Sequence, residues 1–217
     1  PEKNKLKKLE RIIKNILVNS LAYTEVYNYS FISDAQIIKI GDDVTKHLEL
    51  DNPLSKEKPY LRRCLLLNLL ENLESNQVGR GSLKLFEIGK VFRGEDSGMR
   101  AESKRDGLLP GQDTWLTAVC LEKKDGAPFW KARSVVEELT QAGLPHITIS
   151  KSGANGIGRH PSRSAGLFVD EQQVGSVYEL HPQMVVNFGL EGRVGVVKIN
   201  LSALTELPLS EKKYSTI

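Results

Sequence analysis

Apolar residues recur at helical spacing from the start of the chain. Leu6, Leu9, Ile13 and Ile16 line one side as far as Ser20, with Ile12 and Leu17 beside them. This three-four spacing predicts an amphipathic helix of about five turns, roughly 30 Å long. Its other faces carry Lys3, Lys5, Lys7, Lys8, Arg11 and Lys14. They read as a solvated face, with RNA contact as the alternative. Tyr27, Tyr29 and Phe31 then alternate with Val26, Asn28 and Ser30, the period-two pattern of a strand. A second strand is expected from His47 to Leu50, stopped by the turn residues Asp51-Asn52-Pro53. From Leu61 to Leu73, leucines at 65, 66, 69, 70 and 73 predict a helix buried on more than one side.

Strand character returns from Leu83 to Phe92, and the charged, glycine-bearing segment from Arg93 to Gly111 reads as a mobile loop. Beyond it the pattern predicts a strand from Trp115 to Leu121. A helix from Trp130 to Ala142 follows, stopped by Gly143. A strand from His146 to Ser150 precedes a glycine-rich loop, Gly153 to Arg159. Leu167–Val169 and Val174–Leu180 form a hairpin around Asp170 to Gln173. A short helix opens at Pro182 and ends at Gly189. A buried strand from Val194 to Leu201 closes the pattern, with a helical turn through Leu204. Hairpin-connected strands broken by a few helices indicate an α+β antiparallel sheet rather than a doubly wound one. The whole chain, 1–217, reads as one domain, with 93–111 as the candidate subdomain seam.

Composition adds little to that pattern and removes several functions. A net charge of +3, from 30 basic and 27 acidic residues, is too mild to point to nucleic acid by itself. Cys64 and Cys120 sit among apolar neighbours and read as small buried hydrophobes of a reducing compartment. No stretch approaches a membrane span and no secretory signal is visible, so the expected location is the cytoplasm. The chain begins at Pro1 and its methionines are Met99 and Met184, as expected of a piece cut from a longer protein.

Candidate chemistry is sparse. His47, His146, His160 and His181 make no metal-ligand spacing with each other or with the cysteines. Gly153-Ala-Asn-Gly156-Ile-Gly158-Arg159 follows a strand as a phosphate cradle would. His160-Pro161 comes directly after it, where a cradle needs a helix N-terminus.

Two segments are more specific. NPLSKEKPYLRRCLLLNLLENLESN followed by LKLFEIGKVFRGED closely resembles the beta chain of bacterial phenylalanyl-tRNA synthetases. RHPSRSAGLFVDEQQVGSVYELHPQ continues the likeness, with the His-Pro-x-Arg-Ser-Ala and Gly-x-x-x-Glu-Leu-His-Pro motifs in order. The resemblance covers nearly the whole chain.

It implies a class II aminoacyl-tRNA-synthetase-like antiparallel sheet flanked by helices. It also implies pairing with a catalytic alpha subunit in an (αβ)₂ assembly that joins phenylalanine to tRNA(Phe). ATP and magnesium would serve the whole complex, none of them bound by this segment. Editing and magnesium-associated domains would precede Pro1, and an anticodon-binding domain would follow Ile217.

Class II chemistry needs an arginine from a Phe-Arg-x-Glu turn on the ATP α-phosphate, where negative charge builds. Phe92-Arg93-Gly94-Glu95 fits. It also needs a second arginine after a glycine-rich strand, and GRVGVVKINLSAL supplies none in that place. Arg93 and Glu95 are therefore read as a degenerate motif, and no residue is assigned as catalytic. Leu6, Leu9, Ile13, Leu66 and Leu70 are the candidates for the subunit interface. The rival readings are an independent class II-type nucleotide-binding enzyme and an RNA-binding module.

Overall fold

Helix-spaced leucines need a sheet to bury them, and this sheet is hydrophobic on both faces. The computed structural model describes residues 5–100, 108–124, 126–151 and 156–207, and their side chains except at 95–100 and 108. The order of elements is α1 (Lys5–Asn15), β1 (Thr24–Glu25), β2 (Phe31–Ile32), α2 (Asp34–Lys39), β3 (Tyr60–Leu61), α3 (Leu66–Asn76), β4 (Ser82–Arg100) and β5 (Leu108–Glu122). There follow α4 (Pro128–Gln141), β6 (Thr148–Ser150), β7 (Arg159–Val169), β8 (Gln172–Leu180), α5 (Pro182–Asn187), β9 (Arg193–Asn200) and α6 (Leu201–Glu206). Seven strands form one sheet in the order β1-β4-β5-β9-β8-β7-β6, and β2 and β3 pair separately. Only β1 runs parallel to its neighbour, β4; the other pairings are antiparallel.

Side-chain alternation divides the core between the two faces. Leu116, Ala118 and Cys120 of β5, with Val197 and Ile199 of β9, pack under α1, α4 and α6. Val119 and Leu121, with Val194 and Val196, face α2, α3 and the segment after α5. Helix α3 buries Leu66, Leu67, Leu69, Leu70 and Leu73, each worth about 1.5–3 kcal/mol. Helix α4 lies directly on β9 because Gly195 has no side chain. A Cβ there would stand 1.9 Å from the Pro128 carbonyl oxygen. Gly143 ends α4 with φ +94°, where an L side chain is strained.

Several expected elements differ. The first helix continues to Ser20 as a π-type turn over Ile16–Ser20. Residues 26–30 are not a strand. Tyr27 and Tyr29 are 73% and 85% exposed, so the aromatic side of the alternation faces solvent, while Val26 packs against the core outside any strand. The expected strand at 47–50 reduces to one bridge, Glu49 to Tyr60. The helix expected from Leu61 starts at Leu66, because Tyr60–Leu61 pairs with Phe31–Ile32. The segment 93–111 is not a loop where it is described. Residues 93–100 and 108–111 extend the β4–β5 hairpin, with Arg93 opposite Gly111, Ser97 opposite Pro110 and Arg100 opposite Leu108. Residues 101–107 lie outside the described residues. Helix α2 had no strong periodicity, but Ser33 and Gln36 form a reciprocal capping box that starts it.

Candidate functional site

The motifs that set this sequence apart fold into structural contacts. Glu87, in the Leu-Phe-Glu-Ile-Gly strand, is buried and accepts from Arg62 Nη1 at 2.7 Å and from Asn28 Nδ2 at 2.8 Å. Arg63 donates to the Lys46 carbonyl. Arg163, of the His-Pro-x-Arg-Ser-Ala segment, pairs at 2.9 Å with buried Glu179 of the Glu-Leu-His-Pro segment. Arg193 from β9 binds the same carboxylate with two nitrogens. Burial alone would raise the Glu179 carboxyl, but the Arg193 and Arg163 guanidinium groups outweigh it and hold it below the usual range. His181 accepts from the Gln183 N–H and caps α5, at whose first position Pro182 stands.

A cleft lies on the face of the sheet that α2, α3 and α5 only partly cover. Three adjoining hollows of about 320, 160 and 150 Å³ share Arg159, Arg63, Trp115 and Lys198 along their walls, and all three include Lys198. Its floor is a row across three strands. Lys198 of β9 has Thr117 of β5 directly opposite on one side and Ser176 of β8 on the other. Trp115 lies two residues before Thr117, and the Lys198 ammonium sits 5.8 Å from its ring centre. On the other flank Arg159 covers the Tyr178 ring at 5.0 Å. Burial pushes the Tyr178 hydroxyl above its ordinary range, so it stays protonated.

Arg93 lines one end of this cleft and is paired with Asp113 across the hairpin. Glu95 lies in β4, and its side chain is outside the described residues. The leucine-and-isoleucine set takes different positions from those expected of contact residues. Leu9, Ile13, Leu66 and Leu70 are all buried in the chain's own core, and Leu6 is half-buried against it. Periodicity marked these side chains as facing something, and that something is the sheet. On α1 the exposed apolar side chain is Ile12, beside an apolar hollow of about 390 Å³ lined by Leu144, Leu204 and Leu207. Of the glycine-rich loop, residues 152–155 lie outside the described residues, and its last residue, Arg159, opens β7. Burial raises the Cys120 thiol to about 12, and Cys64 is the other free thiol. Among the described residues no three acidic, histidine or cysteine side chains gather to hold a metal. No described helix is long and apolar enough to cross a membrane.

Sequence reading missed Lys198, Trp115 and Thr117 as site residues, and singled out Arg159 only as the end of the glycine-rich loop. Lys198 left one signal, as a lone cation inside the apolar run of a strand buried on both faces.

Residues 1–201 match the profile of the family described as phenylalanyl tRNA synthetase beta chain CLM domain. The chain belongs to that family. Among curated relatives, the phenylalanine–tRNA ligase beta subunit of Solibacter usitatus is 28% identical over 100% of this chain and 26% of its own length. That of Fusobacterium nucleatum is 30% identical over 97% and 26%. The beta-chain domain thus spans about a quarter of the relatives it matches. Among solved structures, the pyrrolysyl-tRNA synthetase of Desulfitobacterium hafniense superposes with a TM-score of 0.68 at 16% identity. The match covers 92% of this chain and 67% of that one. A likeness at that identity is one of fold, and it gives the beta-chain domain a class II synthetase-like architecture.

Proposed function

We propose that the beta-chain domain is the core-like, catalytically silent part of a phenylalanine–tRNA ligase beta subunit. It scaffolds a catalytic alpha subunit in a cytoplasmic (αβ)₂ complex that attaches phenylalanine to tRNA(Phe). ATP and magnesium serve the whole complex, neither of them bound by this domain. The observation that carries this reading is the pair of cationic positions in the cleft. Arg93, which fits the Phe-Arg-x-Glu pattern, faces Asp113 rather than open space. The closing strand opens at Arg193, which is taken by Glu179, and then brings Lys198 and Asn200 and runs into α6 with no further arginine as far as Leu207. A transition state whose charge spreads over a triphosphate needs both arginines already in place, because catalysis comes from preorganised charge.

Burial of Leu9, Ile13, Leu66 and Leu70 moves the proposed contact surface to the exposed side of α1. Ile12, with the neighbouring hollow against Leu144 and Leu207, is the apolar feature there. Co-expression with an alpha chain tests both parts. The two chains should co-purify, the beta-chain domain alone should catalyse no phenylalanine-dependent pyrophosphate exchange, and Ile12→Glu should reduce co-purification. Exchange by the domain alone, or undiminished assembly of the Ile12 variant, would overturn the corresponding part.

A further inference from the structure

We propose that Cys64 is a modification site, which forms a mixed disulfide with a small anionic disulfide of the glutathione class. The chain has two cysteines, both free thiols, and the fold treats them oppositely. Cys120 is fully buried, its thiol donates to Glu122 at 3.3 Å, and burial raises it to about 12. It stays protonated and out of reach, whereas the nucleophile in disulfide exchange is an accessible thiolate. Cys64 is half-buried between β3 and α3. It lines two adjoining hollows of the cleft, of about 320 and 150 Å³, so a reagent in either one lies beside it.

Two further features set the class of reagent. The first is charge. Lys46 and Lys198 line the larger hollow with Cys64, and the carboxylate there is Asp42, engaged by His47 at 3.2 Å. Arg63 and Arg159 share these walls, but Arg63 donates to the Lys46 carbonyl and Arg159 covers the Tyr178 ring. With both arginines set aside, two lysines still face one carboxylate, and a positive wall concentrates an anionic reagent at the sulfur. The second is independent of charge. Thr117 is fully buried, and its Oγ1, like Trp115 Nε1, has no hydrogen-bond partner among the described residues. Both residues line the smaller hollow with Cys64. Buried polar groups are almost always satisfied, so acceptor atoms belong beside this cysteine. A glutathionyl group brings them, as carboxylate and amide oxygens on a flexible tripeptide.

The exchange balances without a further oxidant. The Cys64 thiolate attacks one sulfur of the disulfide, and the new S–S bond to Cys64 forms as the original S–S bond breaks. The second glutathione leaves as a thiolate and takes up the proton that Cys64 released. The Cys64 sulfur is oxidised and the departing sulfur reduced, and excess thiol reverses the step.

This site does not depend on the scaffold reading. Incubating the folded 217-residue chain with glutathione disulfide should add a single glutathionyl group, which peptide mass mapping places on Cys64. Cys120 should remain a free thiol, and Cys64→Ser should abolish the adduct. Lys198→Gln, shown to be folded by circular dichroism, should slow the reaction by about five-fold or more, the effect of removing one nearby charge. Added salt should slow the parent. The neutral bis(2-hydroxyethyl) disulfide should gain nothing from the cleft, each reagent being compared with its own rate toward free cysteine. The salt dependence and the neutral reagent need no variant, so they decide the question even where a substitution disturbs the fold. The proposal is overturned if Cys64 of the folded chain reacts no faster than Cys120. It is equally overturned if the neutral disulfide is favoured as much as the anionic one, or if salt and the folded Lys198 variant leave the rate unchanged.

Discussion

Replacing Glu87 by alanine tests how this fold is held together at the recognised strand. Its carboxylate is 2% exposed and the Arg62 side chain facing it 4%. Arg62 also donates from Nε to the Lys90 carbonyl at 3.1 Å, and Asn28 bridges Glu87 to Asn72. The variant leaves a guanidinium in the interior with one carbonyl for company, and breaking a buried pair on one side costs about 3–5 kcal/mol. For a chain of this size each kcal/mol moves Tm by roughly 2–4 °C, so a fall of about 6–20 °C is expected. Thermal unfolding followed by circular dichroism measures the fall in Tm, and urea unfolding the loss of free energy. The double variant Arg62→Met, Glu87→Leu should recover most of the loss, because a buried pair contributes little beyond an apolar isostere. A loss below about 1 kcal/mol for Glu87→Ala, the level of an exposed pair, would refute the reasoning.

Three further outcomes follow from other contacts. Leu70→Ala, at a fully buried position of α3, should cost about 2–5 kcal/mol by cavity formation, read from the same urea curves. Ser33→Ala removes the acceptor of the α2 capping box and should cost about 1 kcal/mol, detectable as faster amide exchange in α2. Burial by itself would raise the Glu122 carboxyl, but hydrogen bonds from Lys131, Ser82 and Cys120 outweigh it and hold it below its ordinary 4.5. A lowered folded pKa adds stability that is present above about pH 4.5 and lost as pH falls through the folded value. Glu122→Gln should therefore flatten the acid side of the stability–pH curve, and an unchanged slope would contradict this assignment.

The sequence by itself determined the class of fold and the family. The apolar runs of β5, β8 and β9, the leucine spacing of α3 and the stop at Gly143 are local signals that can be read without knowing what the elements pack against. In the recognised motifs Glu87 is buried with its partner Arg62, and Arg163 reaches the buried Glu179 carboxylate, whereas His181 is an exposed cap of α5. Only the tertiary structure decided what those sides face. Leu9, Ile13, Leu66 and Leu70 pack on their own sheet, since periodicity gives the direction of an apolar stripe and not the owner of the surface it meets. The β4–β5 hairpin runs on through 93–100 and 108–111 because backbone pairing across strands overrides a charged, glycine-bearing composition. The cleft was beyond sequence reading. Thr117, Ser176 and Lys198 are separated by 59 and 22 positions in the chain and become neighbours only when three strands set their register.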